Sequence, residues 1–228
     1  AEHNIELDYR GRYILELLQN ARDVAMIGQT LAKVKIVIQN NRLLIANNGA
    51  DFNEDGLRSI CRIGLSSKTD ISFIGHKGLG FKSILEITET PEIVTKFGTI
   101  YFDRELAAEK LNNQSLKAKE LPLLFLPMYK SDNIEEYSEL LEDEYTTLII
   151  LPFKNNVSVE RIREDLRQVK ISSFPLLGYF DRLFIVDEID NSKSTSYTVS
   201  TPIKDVCEVL ENGKNSFRLR LFEHKLQI

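Results

Sequence analysis

Between Gly64 and Gly80, four glycines fall within seventeen residues, in GLSSKTDISFIGHKGLG. No single helix or strand tolerates that density, because each glycine adds backbone freedom that folding must remove. The segment is therefore expected to be a loop around which the other elements are arranged. It runs into GHKGLGFKS, where Gly75, Gly78 and Gly80 precede Lys82 and Ser83 at the start of an expected helix, Lys82 to about Ile87. Glycines let backbone N–H groups approach phosphate oxygens, and a helix N-terminus favours the negative charge held there. The spacing matches neither GxxxxGK[ST] nor GxGxxG, so a flexible loop without a ligand stays open as the alternative.

Around this loop the chain reads as mixed α and β. Ile14, Leu17, Leu18, Ala21 and Ala25 recur at helical spacing from Arg12 to about Ile27, with Gly28 as a stop. VKIVI and RLLIA flank Gln39-Asn40-Asn41 as a hairpin, and a short helix capped by Asn53 or Asp55 follows, with Leu57, Ile60 and Cys61 inward. EIVTKFGTIYF suggests two strands meeting at Phe97-Gly98, residues 103–145 carry weaker helical patterns, and TTLIILPF (146–153) is a buried strand. A helix over 157–171 and strands in RLFIVDEI, TSYTVST and FRLRLFEHKL complete the chain. With 228 residues, 43% of them hydrophobic, there is material for one sizeable core, or one core and a small appendage. Strand runs with helices between them favour α+β, the helices layered on one sheet face.

Chemistry concentrates first in ELLQNARDVA. Glu16, Asn20 and Asp23 stand at i, i+4 and i+7, within roughly 60° of one another on the helix and opposite its apolar stripe. A carboxamide oxygen suits a hard cation and a carboxylate one turn away can orient or deprotonate water; a solvated polar face is the plain alternative. IANNGADF and TTLIILPF are ordinary by themselves, as turn chemistry and a Thr entering a buried strand. Their order is not ordinary.

E-x-x-x-N-A-x-D, a strand ending in N-N-G, G-x-x-G-x-G-x-K-S and a Thr before an L-P strand follow one another across residues 16–152. This resembles the GHKL ATPases, the group of gyrase B, the ninety-kilodalton heat-shock chaperones, histidine kinases and MutL. FNEDGLRSICRIGLSSKTDISFIGHKGLGFKSILEIT and DYRGRYILELLQNARD look most like the N-terminal ATPase-like modules of sacsin and the plant NO VEIN proteins. The resemblance implies a two-layer α/β sandwich with a mixed, mostly antiparallel sheet, and ATP and Mg²⁺ as cofactors. It makes Glu16 the general base, Asn20 the Mg²⁺ ligand, and Asp23 a neighbour of the sugar or adenine-side wall. It sets Gly75, Lys77, Gly78, Leu79, Gly80, Phe81 and Lys82 on the phosphates, with 64–81 as the ATP lid. Thr147 reaches the base, and Gly49 follows the base-reading residue. That residue is Asn47 where most of the family has Asp, so its NH₂ needs another partner and its oxygen accepts a weaker bond. Asp51, at the position of the usual second glycine, either compensates or ends the strand. Lys68, His76, Lys77 and Lys82 add positive charge at the lid, each with a solvated surface cation as its alternative.

Retention of Glu16 favours hydrolysis over phosphate transfer, since His3 and His224 lie in no phosphoacceptor helix. Arg10 and Arg12 are read as covering the helix N-terminus rather than restraining Glu16. The implied function is slow ATP hydrolysis that switches a larger chaperone-like or defence-related protein; a nucleotide-sensing or pseudo-ATPase interaction domain is the alternative. The expected domains are 1–153, an ATP-binding domain with an insertion over 103–145, and 154–228, a sheet extension or the start of a second subdomain. Starting without Met and stopping in a strand-like run, the sequence reads as part of something longer. Expected partners are downstream domains of the same protein and, as in many relatives, a second copy on ATP binding. A sum of 29 basic against 34 acidic residues, net -5, gives no overall excess with which to hold a phosphate backbone, leaving nucleic acid only a local patch. Cys61 and Cys207 form no metal or disulfide pattern and no apolar run reaches membrane length, so a cytoplasmic location without a membrane span is expected. The acidic stretch 132–144 reads as a solvated helix face with Tyr137, Leu140 and Leu141 inward, and FPLLGYFDRLFIV as core.

Overall fold

A computed structural model describes residues 12–61, 80–111, 118, 121–124, 126–131, 137, 144–168, 179–200 and 206–220. Helix α1 spans Tyr13–Ile27 and buries Ile14, Leu17, Leu18, Ala21 and Ala25, the stripe its spacing calls for. It ends in a Schellman turn: Thr30 N–H donates to Ala25 O at 3.0 Å and Gln29 N–H to Met26 O at 3.0 Å. The left-handed residue is Gln29, at φ 54°, rather than the expected stop Gly28. Gly28 is small for another reason, since a Cβ there would stand 2.9 Å from Ala50 N.

Strands β1 (Ala32–Ile38) and β2 (Arg42–Asn47) form the expected hairpin, and α2 (Glu54–Cys61) follows, with Asn53 Oδ1 accepting from Gly56 N–H at 3.0 Å. Beyond Gly80 the expected helix is a tighter 3₁₀ helix, Phe81–Glu86, all six of whose residues are buried. β3 (Glu92–Thr95) and β4 (Gly98–Tyr101) turn over Lys96-Phe97, and Gly98 opens β4 at φ 136°, a conformation suited to glycine. Helix α3 (Arg104–Lys110) starts at Asp103, whose carboxylate accepts from Glu105 and Leu106 N–H. Then come β5 (Met128–Lys130), β6 (Thr147–Pro152), α4 (Val159–Gln168), β7 (Phe180–Asp187), β8 (Thr195–Val199), β9 (Val206–Glu211) and β10 (Lys214–Arg220).

Two strands correct the reading of the sequence. The 103–145 stretch, expected to be helical, contributes β5, which pairs with β4. β9, absent from the expected strands, pairs with β10 across Asn212-Gly213, both with positive φ. Leu140, Leu141 and residues 174–178 of the expected core run lie outside the described residues, as does the end of the 157–171 helix.

The described strands form one ten-stranded open sheet in the order β10-β9-β8-β7-β1-β2-β6-β3-β4-β5. Every pairing is antiparallel except β1 with β7. The fold is therefore α+β with a mixed, mostly antiparallel sheet. Strand alternation divides the core. Val34, Ile36, Leu43, Ile45, Ile93, Leu151, Leu183 and Ile185 face α1, the 3₁₀ helix and α4, whose Ile162 and Leu166 join the same cluster. Val37, Leu44, Ala46, Val94, Leu148 and Ile150 face the opposite side, where Tyr137 and Tyr145 cover them.

Candidate nucleotide site

The polar face of α1 is neither in the core nor free in water. Glu16, Asn20 and Asp23 are half-buried. Burial pushes the Glu16 carboxyl above its ordinary range, and Arg12, with an Nη 4.0 Å from Glu16 Oε1, partly offsets this. Asp23 is likewise pushed up by burial and drawn back by Arg22, whose Nη1 donates to Asp23 Oδ1 at 2.8 Å. Arg22 itself is buried, with its guanidinium 5.3 Å from the Tyr179 ring centroid. Among the described residues, the Asn20 carboxamide has no hydrogen-bond partner.

The last glycine of the loop meets this face. A Cβ on Gly80 would stand 2.2 Å from Glu16 Oε2 and 3.0 Å from its carboxyl carbon. Gly80 has an ordinary helical backbone, φ -61° and ψ -44°, so a side chain here would conflict with the Glu16 carboxylate in its present position and not with the turn. Ser83 Oγ donates to Gly80 O at 2.6 Å and fixes the turn into the 3₁₀ helix.

Asn47 ends β2, buried on the helix side of the sheet. Its backbone pairs with Thr147 on β6, which pairs with Thr95 on β3, so Asn47, Thr147 and Thr95 form a buried polar row across three strands. Asn47 Nδ2 donates to Asn48 O at 3.0 Å. The carboxamide thus spends its donor within its own loop and keeps Oδ1 as an acceptor. The neighbouring Asn48 is also buried and bridges back to β1: its Oδ1 accepts from Lys33 N–H at 2.7 Å and its Nδ2 donates to Leu31 O at 3.0 Å. Gly49, at φ 114°, then lies so close to α1 that a Cβ would stand 2.6 Å from Val24 O. Ala50 N–H donates to the same carbonyl at 3.1 Å. These contacts seat the end of β2 against the helix that carries Asn20 and Asp23.

Asp51 is exposed and pairs with Lys96 at 2.8 Å, so it serves the surface of the β3–β4 turn. Phe81 is buried in the core. Lys82, at 1% exposure, is not a solvated surface cation: it is turned inward, near Cys61, whose thiol burial pushes up and Lys82 draws back. Its burial follows from the 3₁₀ helix, which is enclosed on all sides. Gly75, Lys77, Gly78 and Leu79, with Lys68, His76 and residues 64–79 of the expected 64–81 lid, lie outside the described residues.

One group of residues around the site has no warning in the sequence. Tyr13 Oη, fully buried, donates to Asp165 Oδ2 at 3.0 Å; Arg161 pairs with Glu86 and lies 3.9 Å from Asp165; Lys154 Nζ donates to Leu85 O. Apart from the i,i+4 pair Arg161 and Asp165, the partners are 69 to 152 residues apart, and no local periodicity encodes such a meeting.

Compared with known families, residues 3–173 match the sacsin domain. The chain belongs to the sacsin domain family. Protein NO VEIN of Arabidopsis thaliana is 34% identical to it over 82 residues, which cover 36% of this chain and 3% of that protein. The chain therefore spans a small part of that relative's length. Among the described residues of this sacsin domain, no three His, Cys, Asp or Glu side chains converge as a metal cage, and no helix is long and apolar enough to cross a membrane.

Proposed function

We propose that the chain is a GHKL-type module that binds Mg-ATP, hydrolyses it slowly and switches the shape of a larger chaperone-like or defence-related protein. The observation that carries this reading is the apposition of Glu16 and Gly80. It sets a half-buried carboxylate directly against the end of a glycine-rich segment, where a side chain would displace the carboxylate. The residues suit the ligand. Asn20 offers a neutral oxygen with no competing partner among the described residues, the pattern a Mg²⁺ held mainly by phosphates requires. Asn47 Oδ1 and the Thr147 hydroxyl supply an acceptor and a polar neighbour for a base carrying an amino group. When bound, Mg²⁺ supplies charge neutralisation at the phosphates.

The chain's own part is then to hold and position. Glu16 keeps a proton-accepting oxygen in a partly dehydrated position, where its raised pKa makes it a better base than a free carboxylate. Gly49 lets the end of β2 approach the α1 backbone, and Gly80 lets the Glu16 carboxylate approach the start of the 3₁₀ helix. A nucleotide-sensing role without significant turnover is the second reading, favoured by Asn47, because a neutral acceptor holds an amino group less strongly than a carboxylate does.

Calorimetric titration of ATP, ADP and GTP with Mg²⁺ into wild type and Asn20→Ala tests the site. Adenine-selective binding that Asn20→Ala loses is expected; no binding to folded wild type overturns the proposal. Turnover separates the two readings. Glu16→Gln is expected to bind ATP as wild type does and to lose at least about a hundredfold in kcat, the scale of a general base. A wild type that binds without turnover leaves the sensing role.

A further inference from the structure

Helix α4, from the second half of the chain, touches both elements whose meeting makes the candidate site. Asp165 accepts from Tyr13, which lies one turn before Glu16 on α1. Arg161 pairs with Glu86 at the end of the 3₁₀ helix that follows Gly80, and Lys154, ahead of α4, donates to Leu85 O and to Ile87 O, the latter through its N–H at 2.9 Å. Arg161 also approaches Asp165, so the two anchorages join into one chain: Tyr13, Asp165, Arg161, Glu86. Tyr13 and Glu86 are buried, which makes these polar contacts costly to lose.

Ile14 and Leu17 of α1 and Phe81, Ile84 and Leu85 of the 3₁₀ helix share one apolar cluster. Apolar packing resists separation but is not directional, so it sets the distance between two helices better than their slide along one another. Charged and hydroxyl hydrogen bonds fix that slide. We propose that α4 is the positioning element of the site: through Arg161 and Asp165 it holds α1 and the 3₁₀ helix in the register that presses the Glu16 carboxylate against Gly80. Arg161, Asp165, Tyr13 and Glu86 are positioning residues, acting through Glu16. The consequence for turnover rests on the nucleotide reading above; the apposition itself does not.

The test uses nuclear Overhauser contacts and kinetics on the full chain. Glu16 Cβ lies 3.6 Å from where a Gly80 Cβ would be, so Gly80 Hα and the Glu16 side-chain protons give a cross-peak. Tyr13→Phe, which keeps the ring, and Arg161→Gln are expected to weaken it several-fold and to lower kcat for ATP by on the order of tenfold to a hundredfold at unchanged Kd, the effect of an ångström's misplacement. Arg161→Lys is expected to restore most of both. Arg163→Gln, which breaks the ion pair of the same helix with Asp187, is expected to lower stability and leave the cross-peak intact. A cross-peak of wild-type intensity in folded Tyr13→Phe and Arg161→Gln, its loss in Arg163→Gln to the same degree, or its absence from wild type overturns the proposal. The expected cross-peak pattern in a wild type that does not turn over ATP leaves the positioning role standing and removes the hydrolytic reading.

Discussion

The glycines around the site are small for different reasons, and substitution separates them. Alanine at Gly49 meets the Val24 backbone carbonyl at 2.6 Å and must adopt φ 114°, neither of which can relax locally. Gly49→Ala is expected to cost about 1–3 kcal/mol of stability, read by urea denaturation. Alanine at Gly80 meets instead the far end of the Glu16 side chain, which can turn away to another rotamer. Gly80→Ala is therefore expected to unfold within about 1 kcal/mol of wild type, while its ATP turnover falls with that of the Glu16 variants. Equal stability losses at the two positions, or wild-type turnover in Gly80→Ala, contradict this assignment. At Asn47 the neutral side chain finds a partner for its donor in the next residue's carbonyl. The sequence poses that question and the loop geometry answers it.

Elements with a strong local period are legible before the structure is seen. α1 and the β1–β2 hairpin have the expected extents because each buries one face, and a slip of register would expose it. β9 was missed although Asn212-Gly213 between VCEVLE and KNSFRLR is a strong hairpin signal, because neither flanking run alternates cleanly. β5 was not legible, since three residues carry no period and pairing with β4 alone makes them a strand. The 3₁₀ helix after Gly80 differs from the expected helix because six residues enclosed on every side leave no polar face to show a period.

α4 is fastened to the sheet by Arg163, whose Nε and Nη2 donate to the two carboxylate oxygens of fully buried Asp187 at 2.7 and 3.0 Å. Arg163 foremost, together with the N–H groups of Asp190 and Ile189, holds the Asp187 carboxyl below its ordinary range. A depressed folded-state pKa means stability present above the unfolded value, about 3.9, and lost as pH falls through the folded one. Asp187→Asn is thus expected to lower Tm by several degrees at pH 7, with the gap to wild type closing progressively below about pH 4. A gap that stays constant down to pH 3 assigns the loss to shape rather than charge.

At the scale of the molecule, β7 lies beside β1 in parallel and Phe180, Leu183, Ile185, Val199 and Val209 share the cluster that contains Ile14 and Leu18. A piece ending at residue 153 loses those side chains and leaves the long apolar β1 as an open edge. It is expected to aggregate or bind a hydrophobic dye where the full chain stays monomeric and dye-free; a cooperative, soluble 12–153 piece makes the two parts independent units. By itself the sequence determined the α+β class, the extents of α1 and the first hairpin, and the order of polar motifs along the chain. These depend on contacts within a few residues, where period and turn chemistry decide. Tertiary structure alone decided that Gly80 touches Glu16, that Lys82 turns inward, and that α4 closes a polar chain from Tyr13 to Glu86. Those meetings join residues far apart in the chain, and their geometry follows from how whole elements pack.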